Sequence, residues 1–598
     1  MRLQLEQLVQ NVLKQLGIDG IRVEVTPSDA EGHGDYASNI AFLAAKNLKV
    51  APMEAAEVIR NALCAMRYAS LEKIEVAKPG FINFTISAQA LLRDLTVEHK
   101  KPISGSLKDS KVMIEFTDQN PFKEFHIGHL YSNIVGESIS RLLEAVGAEV
   151  KRVNYQGDIG LHVAKSIWGM KKEMADGIWV IEEMEKRSLK ERSKSLGEAY
   201  ALGATAYDES EEAKAAIILI NKQVYVNDPE VMPLYIKGRQ WSLDYFETIY
   251  QRLGTDFWKL YFESNAGPIG LALVREYLAK GVFKESDGAI VFIGEDYGLH
   301  TRVFINSLGL PTYEAKELGL AVTKYEDYQF DSSIMITGNE INEYFKVLIK
   351  ALSLIRPEIA AKMKHLSHGM VRLPEGKMSS RTGKIVTGEW LLDEAVKRAW
   401  MKIQEVTKTE FHDGKDYATY SKKARVKPSE QNPIAETIGV GAVKWALLKN
   451  GIGKDIEFSF DESVSFEGNS GPYIQYTYVR TQSVLAKGKA QRAKSDNDGS
   501  DAMPYALSSM LNPEERRLLV LLSQYFDIVT QAAQRYSPNI LATYLFELAQ
   551  TYNNFYQKHQ ILKAEGQARE LRLVVTEQVG QTIKNGLCLL GIKTPEKM

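Results

Sequence analysis

Lys111-Val-Met-Ile-Glu-Phe116, a short loop ending in Phe125, and then His126-Ile127-Gly128-His129 at the head of a helical pattern form the stretch that decides the fold. The pattern runs from about Ile127 to Val146 and stops at Gly147, and a second strand-like run, Ala148 to Val153, follows. The unit is β–loop–α–β, with two histidines at the start of its crossover helix. Unpaired backbone N–H groups and the positive end of the helix dipole meet at such a start and favour phosphate. Gly128 keeps a side chain out of the way of an approaching ligand. Alone, the tetrapeptide is weak, because a four-residue string recurs by chance and two histidines and a glycine also open ordinary helices.

A second stretch far downstream changes its weight. Gly376-Lys377-Met378-Ser379-Ser380-Arg381-Thr382-Gly383-Lys384 is a short polar loop flanked by glycines. A mobile lysine with two hydroxyls suits a triphosphate whose charge shifts during reaction. Without the histidine motif it reads as a solvated surface loop.

At 598 residues the chain is too long for one domain, and length predicts about three to five. An apolar share of 44% and a charged share of 25% are those of a soluble globular protein. The net charge of -2 excludes a uniformly basic surface, so any nucleic-acid contact has to be local. Cys64 and Cys588 form no C-x-x-C or Cys/His cluster, which leaves neither a disulfide framework nor a structural zinc. The opening MRLQLEQLVQNVLKQL reads as an amphipathic helix, not a secretory signal. No apolar run is long enough to predict a membrane span. A cytoplasmic location is expected.

Residues 1 to about 105 read as a small α+β unit: an opening helix, a strand-like IRVEV, helices at Ala37–Leu48 and Pro52–Met66, and strands at Lys73–Val76 and Phe81–Ile86. Ile103–Ser110 looks like a linker. Residues 106–390 hold the βαβ unit and later strand-like runs, AIVFI (289–293) and SIMIT (333–337), which predict a parallel sheet. A Glu-, Lys- and Ala-rich helical insertion, about 165–261, interrupts it. From 391 to 598 the pattern is helical, with breaks at Lys408–Pro433 and Lys487–Asp501, the latter a flexible loop. The fold class is thus α/β and multidomain, with a Rossmann-like parallel-sheet domain between an α+β domain and an all-α domain.

With both motifs placed, the chain resembles the class I aminoacyl-tRNA synthetases, and among them the arginyl-tRNA synthetase family. Glu115-Phe-Thr-Asp-Gln-Asn120 is similar to that family's E-F-x-x-x-N, and Asn154-Tyr-Gln-Gly-Asp-Ile-Gly160 to its N-Y-x-G-D-x-G. Gly338-Asn339-Glu340 resembles its G-N-E-Q, and Gly471-Pro-Tyr-Ile-Gln-Tyr476, followed by Arg480, its G-P-Y-x-Q-Y. Gly34-Asp-Tyr-Ala-Ser-Asn39 and the closing Gly591–Met598 also match. Lack of a Cys/His zinc set argues against a cysteinyl enzyme, intact His126, Gly128, His129 and Lys377 argue against an inactive paralogue, and the helical C-terminal half argues against a small nucleotidyltransferase.

The resemblance implies ATP-dependent activation of arginine and its transfer to tRNA(Arg). Its partners would be L-arginine, tRNA(Arg) and ATP as the Mg2+ complex, with no structural metal, no membrane and a monomeric state. His126, His129 and Lys377 would be catalytic; Gly128, Met378 and Ser379 would complete the ATP site. Glu115, Asn120, His126, Tyr313 and Glu317 would hold arginine, whose planar guanidinium wants carboxylate acceptors. Without the aligned Tyr313, Glu317 reads as an exposed acid at a helix start. Phe81, Asn83, Tyr473, Tyr476, Tyr556 and Met598 match tRNA-contacting positions; Phe81 also suits a strand core, and the tyrosines suit half-buried helix faces. The chain departs from the family in three places: Ser380 stands at the second lysine of the loop, leaving Arg381 or Lys384 to replace it, Glu317 replaces an aspartate, and Ile341 replaces a glutamine.

Overall fold

The computed structural model describes all residues except 29–32, 98–106, 374–385, 411–432, 493–510 and 597–598. The N-terminal unit is a four-stranded antiparallel sheet carrying three helices, Arg2–Gln15, Ile40–Leu48 and Pro52–Ala65. The IRVEV run predicted as a strand is extended but unpaired until Thr26–Pro27. Val25 is buried, yet its N–H goes to the Glu6 carboxylate, so burial is met without a ladder partner. The helix expected from Ala37 starts at Ile40, because Tyr36–Ser38 pairs as a strand.

The central sheet has five parallel strands: β1 (Lys111–Phe116), β2 (Glu149–Gln156), β3 (Lys259–Phe262), β4 (Ser332–Gly338) and β5 (Met363–His368). Their order is β5-β4-β1-β2-β3. The order reverses between β1 and β4, and ligands of such sheets bind at the carboxyl ends of strands beside that point. The run at 289–293 lies elsewhere: it forms the middle of a three-stranded antiparallel sheet with Lys284–Ser286 and Arg302–Ile305. Its β-branched apolar residues suit either ladder, so composition did not distinguish the two.

Side chains alternate across β1. Ile114 and Phe116 face the crossover helix α1 (Ile127–Ala145). Met113, with Val153 and Tyr155 of β2, faces α2 (Glu263–Ala279), α3 (Tyr313–Asp327) and α4 (Asn342–Ile355). The insertion is helical as expected, from Leu161–Ala175 to Met232–Leu253, around its own core. The C-terminal region comprises α5 (Pro433–Leu448), α6 (Gly471–Arg492), Pro513–Gln534, α7 (Pro538–Lys558) and α8 (Gly566–Leu589). Residues 487–492, expected as the start of a loop, are helical in α6, and the rest of that expected loop, 493–501, lies outside the described residues.

The C-terminal helices pack on the back of α1. Buried Lys444 of α5 donates to Leu253 O at 2.5 Å and to Gly591 O at 2.6 Å. Arg141 of α1 donates to Cys588 O at 3.1 Å, capping the end of α8. The helix that opens with the histidines is therefore enclosed, and its buried polar residues bond within the protein: Ser132 donates to Ile336 O, and Asn133 to Thr117 Oγ1. No helix among the described residues is long and apolar enough to cross a membrane.

Candidate active site

The histidines of α1 cap their own helix. His126 Nδ1 accepts from Gly128 N at 3.1 Å and His129 N at 3.4 Å, while His129 Nδ1 accepts from His126 N at 3.2 Å. The rings stack with centroids 3.5 Å apart. Ile127 N donates to Val386 O at 3.2 Å. The backbone N–H groups expected to greet a phosphate are thus already taken. What remains is fixed by tautomer: with both Nδ1 atoms accepting, each ring carries its proton on Nε2. Burial, with Lys123 nearby, lowers the His126 pKa to about 4. Burial, the His126 ring and Lys123 also hold that of His129 well below the ordinary imidazole value. The pair is neutral at physiological pH and presents two N–H donors. A Cβ at Gly128 would lie 3.0 Å from the His126 ring, so glycine also spares the cap.

The turn after β1 is held under strain. Thr117 and Asp118 have φ of 84° and 47°, unfavourable for a β-branched residue above all. Ser132 accepts from Thr117 N at 2.9 Å, and Asn133 donates to Thr117 Oγ1 at 3.0 Å. The turn brings Asp118 Oδ1 to Tyr155 N at 3.1 Å. Asn120 then folds against the backbone of Gly157, where a Cβ would sit 2.2 Å from Asn120 Oδ1 and 3.1 Å from Glu263 Oε1. Asn120 and Glu263 therefore meet over Gly157, and a side chain there would push both away.

On the opposite face of the sheet from α1 lies a buried group of acids. Glu115 pairs with Lys324 of α3 at 2.6 Å, both almost fully buried. Glu263, at the start of α2, pairs with Lys316 at 2.6 Å. Asp118 and Glu317 have no ion-pair partner of their own among the described residues. Burial and the neighbouring Glu115 hold both carboxyls well above the usual range. Glu317 reaches this place because α2 and α3 cross closely: a Cβ at Gly270 or Gly319 would meet Ala315 O at 1.7 Å or Ala266 O at 2.1 Å. Tyr313, one turn before Glu317, is 58% exposed at the rim.

The structure thus brings Glu115, Asn120, His126, His129 and Glu317 to one edge of the sheet and places Tyr313 at its border. Lys377, Met378 and Ser379 lie outside the described residues, as do Arg381 and Lys384. The chain beyond them returns beside the histidines, through Val386 O and through Gly388 N, which donates to Phe125 O at 2.8 Å. Sequence reading missed Asp118, Lys123, Glu263, Lys316 and Lys324. Asp118 stands inside a quoted motif, and Lys123 precedes His126 by three residues, so both were within sight. Lys123 has a lowered pKa through burial and Lys165. Its ammonium lies 4.8 Å from the Tyr200 ring. The remaining three belong to segments far apart in sequence.

The residues matched to tRNA contacts lie in two other places. Arg480 of α6 lies between the Tyr476 and Tyr556 rings, 4.9 and 5.0 Å from their centroids. Those tyrosines are 38% and 41% exposed. Asn553 ties the group together, accepting from Arg480 and donating to the Tyr473 hydroxyl at 2.9 Å. On the N-terminal sheet Phe81 is 38% exposed, with its ring edge-on to Phe42. Asn83 is buried, its amide 3.4 Å from His33 Nδ1. Met598 lies outside the described residues.

Comparison with known proteins meets this geometry. A model of the class I tRNA synthetase (R) catalytic domain matches residues 91–460. An arginyl tRNA synthetase N-terminal domain matches 3–86, and a DALR anticodon binding domain 474–598. The arginine–tRNA ligase of Porphyromonas gingivalis is 31% identical over 97% of this chain and 96% of that protein. That of Bacteroides thetaiotaomicron is 32% identical over the same shares. Among solved structures, Thermus thermophilus arginyl-tRNA synthetase superposes over 100% of both chains with a TM-score of 0.79 at 25% identity. A Plasmodium falciparum arginyl-tRNA synthetase shares the fold, with a TM-score of 0.78 at 21% identity over 100% of this chain and 99% of that one. Matched along its whole length, from the N-terminal domain to the helical end, the chain belongs to the arginyl-tRNA synthetase family.

Proposed function

We propose that this ligase activates arginine across the carboxyl edge of its central sheet, with the amino acid among Glu115, Asp118, Asn120, Glu263 and Glu317, and ATP, as its Mg2+ complex, over His126 and His129. The observation that carries the reading is charge. Among the described residues, Glu115, Asp118 and Glu317 share Lys324 as their one close lysine. A substrate bearing a guanidinium and an α-ammonium supplies the two positive charges the pocket lacks. Tyr313 and Asn120 close its rim.

In the first step an arginine carboxylate oxygen bonds to the α-phosphorus, and the bond to the pyrophosphate oxygen breaks. Such a centre needs positioning and charge stabilisation rather than an acid–base pair. The two Nε2–H groups donate to phosphate oxygens, and Gly128 leaves room for adenine. Lys377 and Ser379, with Met378 beside them, serve the departing pyrophosphate. Lys123 supplies a further cation at the histidines, in the role the absent second loop lysine leaves open. In the second step a terminal ribose hydroxyl of tRNA(Arg) takes the arginyl group and AMP leaves. The Tyr473, Tyr476, Tyr556 and Arg480 group offers splayed anticodon bases a stacking surface, and Met598 is assigned to the same tRNA by its match to a contact position. Phe81 is the exposed side chain offered to the tRNA elbow, with Asn83 buried in the same strand. The division 1–105, 106–390 and 391–598, a monomeric state and a cytoplasmic location belong to the same proposal.

An aminoacylation assay with each of the twenty amino acids tests it. Arginine alone is charged; charging of another amino acid, or of none, overturns the reading. Pyrophosphate exchange should require tRNA, and equal exchange with and without it would refute that part.

A further inference from the structure

The Tyr155 hydroxyl is buried in the acid pocket and makes no hydrogen bond to any described residue. Tyr155 is 7% exposed, its ring packs in the core beneath α2 and α3, and its backbone N–H goes to Asp118. Its hydroxyl oxygen has no partner among the described residues. Buried polar atoms are otherwise satisfied in the great majority of cases, so an orphan calls for a reason. The groups whose charge acts on this phenol are Glu263 of α2, Glu317 of α3, Tyr344 of α4 and Glu115 of β1. Four elements thus converge on a hydroxyl that bonds to none of them.

We infer that Tyr155 is a specificity-determining residue of the arginine site, its hydroxyl accepting a hydrogen bond from the substrate guanidinium. The inference rests on the arginine reading above. The chemistry follows from the donor inventory: carboxylates only accept, a guanidinium only donates, and a phenol does both. A phenol among acids takes an N–H from the guanidinium on its oxygen lone pair. It thereby completes the fork without adding another negative charge to a pocket already in surplus. The added methylene of Glu317 moves its carboxylate relative to the shorter acid of the family, and Ile341 removes an amide. Tyr155 provides a fixed polar atom in the same pocket, held by the sheet rather than by a loop.

The test is Tyr155→Phe in the full chain, assayed with ATP and tRNA at saturation. The KM for arginine rises roughly 10- to 50-fold, the cost of one hydrogen bond to a charged group. The kcat and the KM for ATP stay within about twofold, since the phenol touches neither phosphate nor histidine. The melting temperature without arginine is equal to or above that of the unsubstituted chain, because an unpartnered buried hydroxyl is removed. The arginine concentration needed for a given thermal upshift rises by the same 10- to 50-fold factor. An unchanged KM for arginine overturns the inference, and so does a parallel rise in the KM for ATP or a fall in melting temperature. If the unsubstituted chain charges no arginine, the underlying reading fails instead.

Discussion

At the histidine corner the groups of the helix start find partners within the chain, whereas in the acid pocket on the other face of the same sheet three carboxylates share one lysine. His126 and His129 spend their Nδ1 atoms on backbone N–H groups at 3.1 to 3.4 Å and leave two oriented donors. Asp118 and Glu317 instead sit beside Glu115 with their charge opposed by burial. The first region is complete in the absence of substrate and meets a ligand with preorganised dipoles. The second is destabilised by its own charge and gains most when a cation arrives. In the proposed reading the first region meets the pyrophosphate leaving group and the second the two cationic groups of arginine.

The largest effect expected from breaking this contrast comes at the corner. His126→Ala removes a donor to the transition state and uncaps α1, so kcat falls ~10²–10³-fold and the melting temperature falls as well. Steady-state aminoacylation and calorimetry read both. Glu317→Gln does the reverse to stability. The KM for arginine rises roughly 100-fold as an acceptor of the fork loses its charge, while the chain without arginine gains on the order of 1–2 kcal/mol from relief of buried like charge. A variant that loses both affinity and stability would show that Glu317 is structurally satisfied, and the contrast would fail.

Lys123→Met lies between the two regions. It lowers kcat about tenfold by removing a cation near the phosphates. It also lets the pKa of His126 rise from about 4, since Lys123 is one of its depressing neighbours; ring-proton NMR follows that shift. An unchanged histidine pKa would separate Lys123 from the corner.

The pH dependence of stability sharpens the comparison with a smaller effect. His126 and His365 titrate near 4 and His162 near 3 in the folded chain, all through burial first. Below pH 6.5 the unfolded chain binds these protons and the folded one does not, so stability falls as pH drops through the window from 6.5 to about 4. The slope is at most about 1.4 kcal/mol per pH unit for each histidine. The raised carboxyls run the other way, losing stability as pH rises above their ordinary range. Glu317→Gln therefore flattens the alkaline limb of a melting-temperature profile and leaves the acid limb in place.

Much of the corner was legible before the structure. A strand, a helix stopped by a glycine and two histidines three residues apart are local patterns, and the observed helix, Ile127–Ala145, follows them. Glu115 and Asn120 were legible as residues of the loop ahead of it. What those residues bond to was not. The helix start was expected to offer free N–H groups, but a histidine ring three residues away is long enough to take them, which only side-chain geometry reveals.

By itself the sequence determined the order of elements, the histidine pair, the carboxylate types in the pocket and the family. Hydrophobic period and motif spacing act over a few residues, and such signals survive in a linear string. Tertiary structure decided which charges are compensated. Glu115 meets Lys324 across 209 positions, Glu263 meets Lys316 across 53, and the Tyr155 hydroxyl meets no partner among the described residues. Burial and Coulomb interaction depend on distance in space and on the dielectric around each group, and neither is written in the separation along the chain.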